Sequence, residues 1–185
     1  MSSTMVESER LIARAPEQSD LSSLFSIFGD VRTHRFNPVG PLPDEHAASL
    51  CLESWLGHWQ RNFFGTWTIV LKDNPDKIIG FGGLSYRDLG ENRPINLGYR
   101  FAYETWGKGL ATEFCRLAID FGFNTLKLKE VSAIVRENHA ASRRVLEKAG
   151  MRPVARLKEQ LPIPASIIYS IKNQLAKNDI SLARS

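Results

Sequence analysis

Apolar and polar positions along this 185-residue chain change period several times, and each change marks a predicted element. ERLIARAP, residues 9–16, alternates closely enough to predict a strand, and the following EQSDLSSLFSIFGD puts Leu21, Leu24, Phe25 and Phe28 on one helical face. RTHRFNPVGPLP is rich in proline and reads as a loop. Asp44 stands where a cap belongs for a helix running toward Arg61, in which Ala48, Cys51, Leu52, Trp55 and Trp59 recur at helical spacing. GTWTIVLK and KIIGFGGLSY flank DNPD and predict a hairpin with Trp67, Ile69 and Leu71 on one face. Gly80, Gly82 and Gly83 in its second arm predict a bulge or a close backbone contact. INLGYRFA then alternates Ile95, Leu97, Tyr99 and Phe101 against Asn96, Gly98 and Arg100, and Gly98 fits a bulged strand.

From Ala111 to about Phe123 the period becomes helical, with Phe114, Ala118 and Phe121 in the stripe; Cys115 beside it reads as a small core residue. EVSAIVRE predicts a strand and HAASRRVLEKAG a short helix, with Asn138 placed to cap it and Gly150 to end it. PVARLKEQ and SIIYSI are the last strand-like runs. The length suits one domain over residues 1–185, with ends fraying at 1–7 and 173–185.

Composition narrows the class. With 43% hydrophobic and 24% charged residues and no repeat, the chain is an ordinary folded domain. The net charge of +4 is spread among interleaved acids, which argues against a nucleic-acid face and suits a small polyanionic ligand. The polar start and the lack of a long apolar run predict no membrane span and a cytoplasmic location. Cys51 and Cys115 form no CxxC and no metal-type pairing with the histidines, so neither a disulfide nor a metal site is expected.

The candidate chemistry lies in WGKGLATEF, residues 106–114, where two glycines flank a lysine between a strand and a helix. Glycine admits positive φ and close backbone approach, and a helix N-terminus offers unpaired N–H groups to anions, so the stretch reads as a phosphate cradle. It is not a P-loop, because the lysine lies between the glycines and no Ser or Thr follows it directly. A dinucleotide GxGxxG fails at Thr112, although Glu130 lies roughly where a ribose-binding acid is expected. A tight turn with no ligand is the plain alternative.

Taken in order, SERLIARAP, GTWTIVLK, IIGFGGL, INLGYRF, WGKGLATEF and ENHAASRRVLEKAGM resemble the GNAT acyltransferase superfamily over roughly residues 8–171, and within it the branch of the ribosomal-protein N-terminal (RimJ/RimL-type) acetyltransferases. The resemblance implies an α/β (α+β) GNAT fold: a mixed central sheet of about six to seven strands, helices on both faces, and a splay between two central parallel strands, INLGYRF and EVSAIV. It implies acetyl-CoA as cosubstrate, no metal, and direct transfer of the acetyl group to a primary amine. The family's loop pattern falls on Trp106, Gly107, Lys108, Gly109, Leu110, Ala111 and Thr112, with Trp106 in place of the usual polar first residue. Backbone around Tyr99, Arg100 and Phe101 would hold the pantetheine and polarise the acetyl carbonyl.

Residue roles follow from the same resemblance. Ser142 is the candidate acid for the departing thiolate, since Leu146 occupies the position where many relatives carry tyrosine. Either Asn138 or His139 faces the coenzyme, the Asn-to-Ser spacing being off by one, and Arg143 or Arg136 approaches its 3′-phosphate. Glu104, just before the glycine loop, is the candidate base, and a weak one suffices for an α-amine of pKa near 8. Glu113 in the first helical turn reads as structural. The acceptor pocket is expected between Val31 and Trp67, with Arg32, Phe36, Asn37, Trp55 and Trp59 as candidates; the tryptophans also read as core. The acceptor is a protein N-terminus or a small amine, and the chain a monomer or homodimer. Two other readings stay open: a noncatalytic acyl-CoA-binding sensor and an NAD-dependent oxidoreductase.

Overall fold

A computed structural model describes residues 5–37, 39–86 and 95–177. Eight strands form one sheet in the order β1-β2-β3-β4-β5-β6-β8-β7. They are β1 (Val6–Glu7), β2 (Leu11–Arg14), β3 (Thr66–Leu71), β4 (Asn74–Tyr86), β5 (Ile95–Phe101), β6 (Glu130–Arg136), β7 (Arg152–Leu157) and β8 (Ser166–Lys172). The helices are α1 (Leu21–Phe28), α2 (Glu45–Asn62), α3 (Leu110–Asn124) and α4 (Ala140–Lys148). Asp44 caps α2 as expected, its Oδ1 accepting from the Ala47 N–H at 2.8 Å.

Two expectations need correction. The eighth strand is Val6–Glu7, placed in the fraying N-terminus by the sequence reading but paired antiparallel with Ala13 and Ile12. Two residues carry too little pattern to be read as a strand; pairing with β2 makes them one. A 3-10 turn, Gln174–Lys177, continues the C-terminal segment expected to fray, while residues 1–4 and 178–185 lie outside the described residues. Gly98 is not bulged, because β4 and β5 keep one register from Tyr86↔Ile95 to Gly80↔Phe101.

The irregularity falls instead beside Gly80, where Ile69 faces Gly80 and Val70 faces Ile78, so that one residue of β4 is passed over. The adjoining Gly83 is a close backbone contact: a Cβ there would meet the Gly65 carbonyl oxygen at 2.0 Å. Only a residue without a side chain fits between the two chains.

The two faces of the sheet are covered by different helices. Leu24 and Ile27 of α1 and Ala48 and Leu52 of α2 pack on Phe81, while Phe114, Cys115, Ala118 and Ile119 of α3 pack with Trp67, Ile69 and Leu97 on the other face. Leu146 of α4 joins the α3 side. The central strands β5 and β6 run parallel and share a single pair, Asn96↔Ser132, before they part. The notch so opened is the organising feature of the site.

Candidate functional site

The alternation of β5 sends successive side chains to opposite faces of the notch. Tyr99 and Phe101 pack into the α3 side, whereas Arg100 stands in register with Phe81 and therefore shares the α1/α2 face. One cavity of about 960 Å³ is reached from both faces. The glycine turn and α4 line it on the α3 side, through Gly107, Gly109, Thr112, Ser142, Arg144 and Lys148. Thr33, Phe36, Asn37 and Arg100 line it on the other.

The glycine turn owes its residues to dihedral angle more than to space. Gly107 and Gly109 have φ of +77° and +76°, and a Cβ on Gly107 would meet nothing within 4 Å. Side-chain-bearing residues rarely adopt that conformation, so glycine sets the turn's shape. Gly109 also caps α3 with no side chain over the helix end, which leaves the first-turn N–H groups, Leu110 to Thr112, facing the cavity with no intrahelical acceptor. Such an end suits a pyrophosphate, and Arg144 and Lys148 add positive charge beside it.

The turn is braced from outside. Arg10 donates from Nη1 to the Lys108 carbonyl at 2.9 Å and from Nε to Glu113 Oε1 at 2.7 Å, and the Ser8 hydroxyl donates to Glu113 Oε2 at 2.6 Å. Burial pushes the Glu113 carboxyl up, but the bonds from Ser8 and Arg10 outweigh it and hold the pKa below the usual glutamate range. For the coenzyme that the sequence resemblance implies, Arg10→Ala is expected to raise KM about fivefold with kcat nearly unchanged, as loss of one charge-assisted bond from a positioning element would. Steady-state kinetics check this; a fall in kcat alone contradicts it.

At the apex of the notch the Tyr99 and Ser142 hydroxyls hydrogen-bond at 2.9 Å. Burial raises the Tyr99 pKa far above that of free tyrosine, so the phenol stays protonated. His139 also lines the cavity and stacks on Phe36, with ring centroids 4.2 Å apart. Burial, and then the charge of Arg100, lower its pKa, so the imidazole is neutral near pH 7.

Several candidates lie elsewhere. Arg143 points off the far side of α4, donating to the Tyr169 hydroxyl and the Glu137 carbonyl, both at 3.1 Å; Arg144 takes its expected place at the cavity. Helical spacing carried that signal, since Ala141, Arg144, Val145 and Lys148 share a face that Arg143 cannot join. Arg136 does line the cavity, ion-paired with Glu159 at 3.1 Å. His139, not Asn138, caps α4, and Asn138 does not line the cavity. Lys108 contributes its carbonyl to the brace rather than its side chain to the cavity wall. Trp106 lines the cavity and fixes its indole by donating to the Phe101 carbonyl at 3.0 Å.

Of the residues expected to line an acceptor pocket, Arg32 is exposed, paired with Asp30 at 2.6 Å and laid over Tyr103. Trp55 packs on Phe28 and Phe81, and Trp59 donates from Nε1 to the Thr66 carbonyl beside Trp67, so both are core residues, not pocket walls. Glu104 is exposed in the 3-10 turn Tyr103–Thr105, outside the cavity wall. Its neighbours Thr105 and Trp106 line the cavity while its own side chain faces out of the 3-10 turn.

This arrangement of a parted parallel pair, a glycine turn and a helix N-terminus is accompanied by a family match. The model for the acetyltransferase (GNAT) domain matches residues 10–152, and the chain belongs to that family of acetyl-CoA-dependent acetyltransferases. Among relatives, it is 25% identical over 159 residues to the uncharacterized N-acetyltransferase YoaA of Bacillus subtilis (strain 168), covering 85% of this chain and 88% of YoaA. In fold it is similar to ribosomal-protein-S5-alanine acetyltransferase from Vibrio fischeri, with TM-score 0.73 and 23% identity over 92% of this chain and 97% of that one. It is also similar to spermidine N-acetyltransferase from Vibrio cholerae, solved with CoA and spermine, with TM-score 0.73 and 18% identity over 89% and 96%. The dinucleotide reading falls with the family match. Glu130, its ribose-binding candidate, opens β6 at the end of the strand remote from the cavity and accepts from the Ser170 hydroxyl. Among the described residues, no helix is long and apolar enough to cross a membrane.

Proposed function

We propose that this chain transfers the acetyl group of acetyl-CoA to a primary amine in a ternary complex, the coenzyme entering on the α3/α4 side of the notch and the amine on the α1/α2 side. One observation carries the reading: a single cavity joins the glycine turn to the Thr33–Asn37 wall through the gap between β5 and β6. Acetyl-CoA would supply the activated acetyl group. The N–H groups of Leu110 to Thr112 would hold its pyrophosphate, with Arg144 and Lys148 near its phosphates.

His139 is the base in this reading. Its neutral imidazole takes a proton from the amine as the carbon–nitrogen bond forms and the carbon–sulfur bond breaks. Ser142, held by the Tyr99 phenol, donates a hydrogen bond to the leaving thiolate, which takes its proton from water while the proton from the amine stays on His139 until product leaves. A thiol of pKa near 8.5 needs little help, so Ser142→Ala should lower kcat only about three- to tenfold, with KM for acetyl-CoA unchanged. An unchanged kcat would remove Ser142 from the chemistry. The likeness to a ribosomal-protein-S5-alanine acetyltransferase and the WGKG turn support a place near the RimJ/RimL-type enzymes, with a protein N-terminus among the acceptors.

The direct test is the melting midpoint with excess acetyl-CoA, followed by thiol release with a panel of amines. A ligand bound only by the native state raises the midpoint. A rise with no thiol release from any amine would favour a noncatalytic acyl-CoA sensor; no rise would reduce the glycine turn to a bare connection.

A further inference from the structure

The α1/α2 side of the cavity holds a half-buried positive charge that the protein leaves open. The Arg100 guanidinium lies over the Phe28 ring at 5.1 Å, donates from Nη1 to the Thr33 carbonyl at 2.5 Å, and lines the cavity. Its Nε is buried with no hydrogen-bond partner among the described residues. Among the described residues, no carboxylate contributes to its electrostatics. The groups whose charge it feels are the Cys51 thiol and the imidazoles of His34 and His139. Among the described residues the one acid in the cavity wall, Glu159, is taken by Arg136. Nearby Asp30 is committed to Arg32 outside the wall.

A half-buried guanidinium with no counter-ion is costly, and natural chains keep such groups paired unless something else supplies the charge. Burial has already drawn its pKa down to about 10, yet at pH 7 it remains a cation. Planar guanidinium forks match a carboxylate better than a lone amide or hydroxyl would. The same wall would repel a polyamine, whose second ammonium finds no free acid there.

We propose that the acceptor amine carries a carboxylate, received by Arg100 on the α1/α2 side of the notch: an amino acid, or a peptide with an acidic residue at or beside its N-terminus. This rests on the acetyltransferase reading and narrows its acceptor. The carboxylate supplies the missing counter-charge and orients the amine toward His139 and the parted strands.

The test compares matched acceptors by thiol release: leucine with leucinamide, the peptide amide Asp-Ala-Ala with Asn-Ala-Ala, and spermidine as the cationic control. Wild-type protein is expected to prefer the carboxylate member of at least one pair about tenfold or more in kcat/KM. Arg100→Gln should abolish that preference, and Arg100→Lys should restore part of it. Comparing ratios within a pair across the proteins cancels differences in amine basicity. Preference within the leucine pair identifies a free α-carboxylate as the source, and preference within the peptide pair an acidic side chain. Equal rates within both pairs, preference for spermidine, or a preference that survives Arg100→Gln in folded protein overturns the proposal. The wild-type panel alone decides it should Arg100→Gln not fold. Acetyl-CoA binding, read as a rise in melting midpoint, separates the two levels. If acetyl-CoA binds and no panel carboxylate reacts, the carboxylate proposal is wrong; if acetyl-CoA does not bind, the acetyltransferase reading itself has failed.

Discussion

His139→Gln lowers kcat by about 10²-fold while KM for acetyl-CoA changes little, the effect expected when a positioned base is removed from proton transfer. The pH profile identifies the cause. Burial and the charge of Arg100 lower the His139 pKa, so the base form persists below the ordinary value of about 6.5. Wild-type kcat at saturating amine should therefore be flat through neutrality and fall only at more acid pH, as the imidazole takes up a proton. In His139→Gln that acid limb should vanish. The ring also stacks on Phe36, so packing must be separated from chemistry. His139→Phe keeps a stacked ring and loses the nitrogen; if it retains activity, His139 is a packing residue and the base lies elsewhere.

Asp20→Asn lowers the melting midpoint by about 6–12 °C, corresponding to about 3 kcal/mol at roughly 2–4 °C per kcal/mol for a chain of this size. Asp20 is 2% exposed at the head of α1, yet every side of its carboxylate is used. Arg14 donates to both oxygens at 2.8 and 2.9 Å, Thr68 Oγ1 at 2.7 Å and the Glu17 N–H at 2.9 Å. The figure lies at the low end for a buried pair because Arg14 keeps a water-facing edge, its side chain 29% exposed. Burial alone would raise the Asp20 pKa, but these bonds outweigh it and hold the pKa below the usual aspartate range. With a lowered folded pKa, the stabilisation is present above the unfolded value of about 3.9 and is lost as pH falls through the folded value. The gap between wild type and Asp20→Asn should stay constant from about pH 7 to 5 and shrink only below about pH 4. An equal gap at pH 3 and pH 7 would mean that the charge of Asp20 plays no part.

What the sequence determined about this protein is local and periodic. The alternation of β3, β4 and β5, the stripe of α3 and the positive-φ glycines at 107 and 109 are consequences of neighbours along the chain, so they could be read from it. Ser142 and the glycine turn reached the cavity wall for the same reason, each lying on a periodic element whose face is fixed by its spacing. Tertiary structure decided the rest. The two-residue strand Val6–Glu7 exists because β2 pairs with it. Trp55 and Trp59 became core residues because β3 and β4 came to lie against α2, and Arg32 left the pocket for Asp30 in the irregular segment before α2. His139 became a candidate base only when Phe36, more than a hundred positions earlier in the chain, closed over it. Arg100 was read as backbone at the coenzyme; alternation already put its side chain on the face opposite Tyr99 and Phe101, and only tertiary packing brought Phe28 and Thr33 against it there. Periodicity assigns a residue to a face, but the partner across that face comes from distant chain, and partners set burial, charge and pKa.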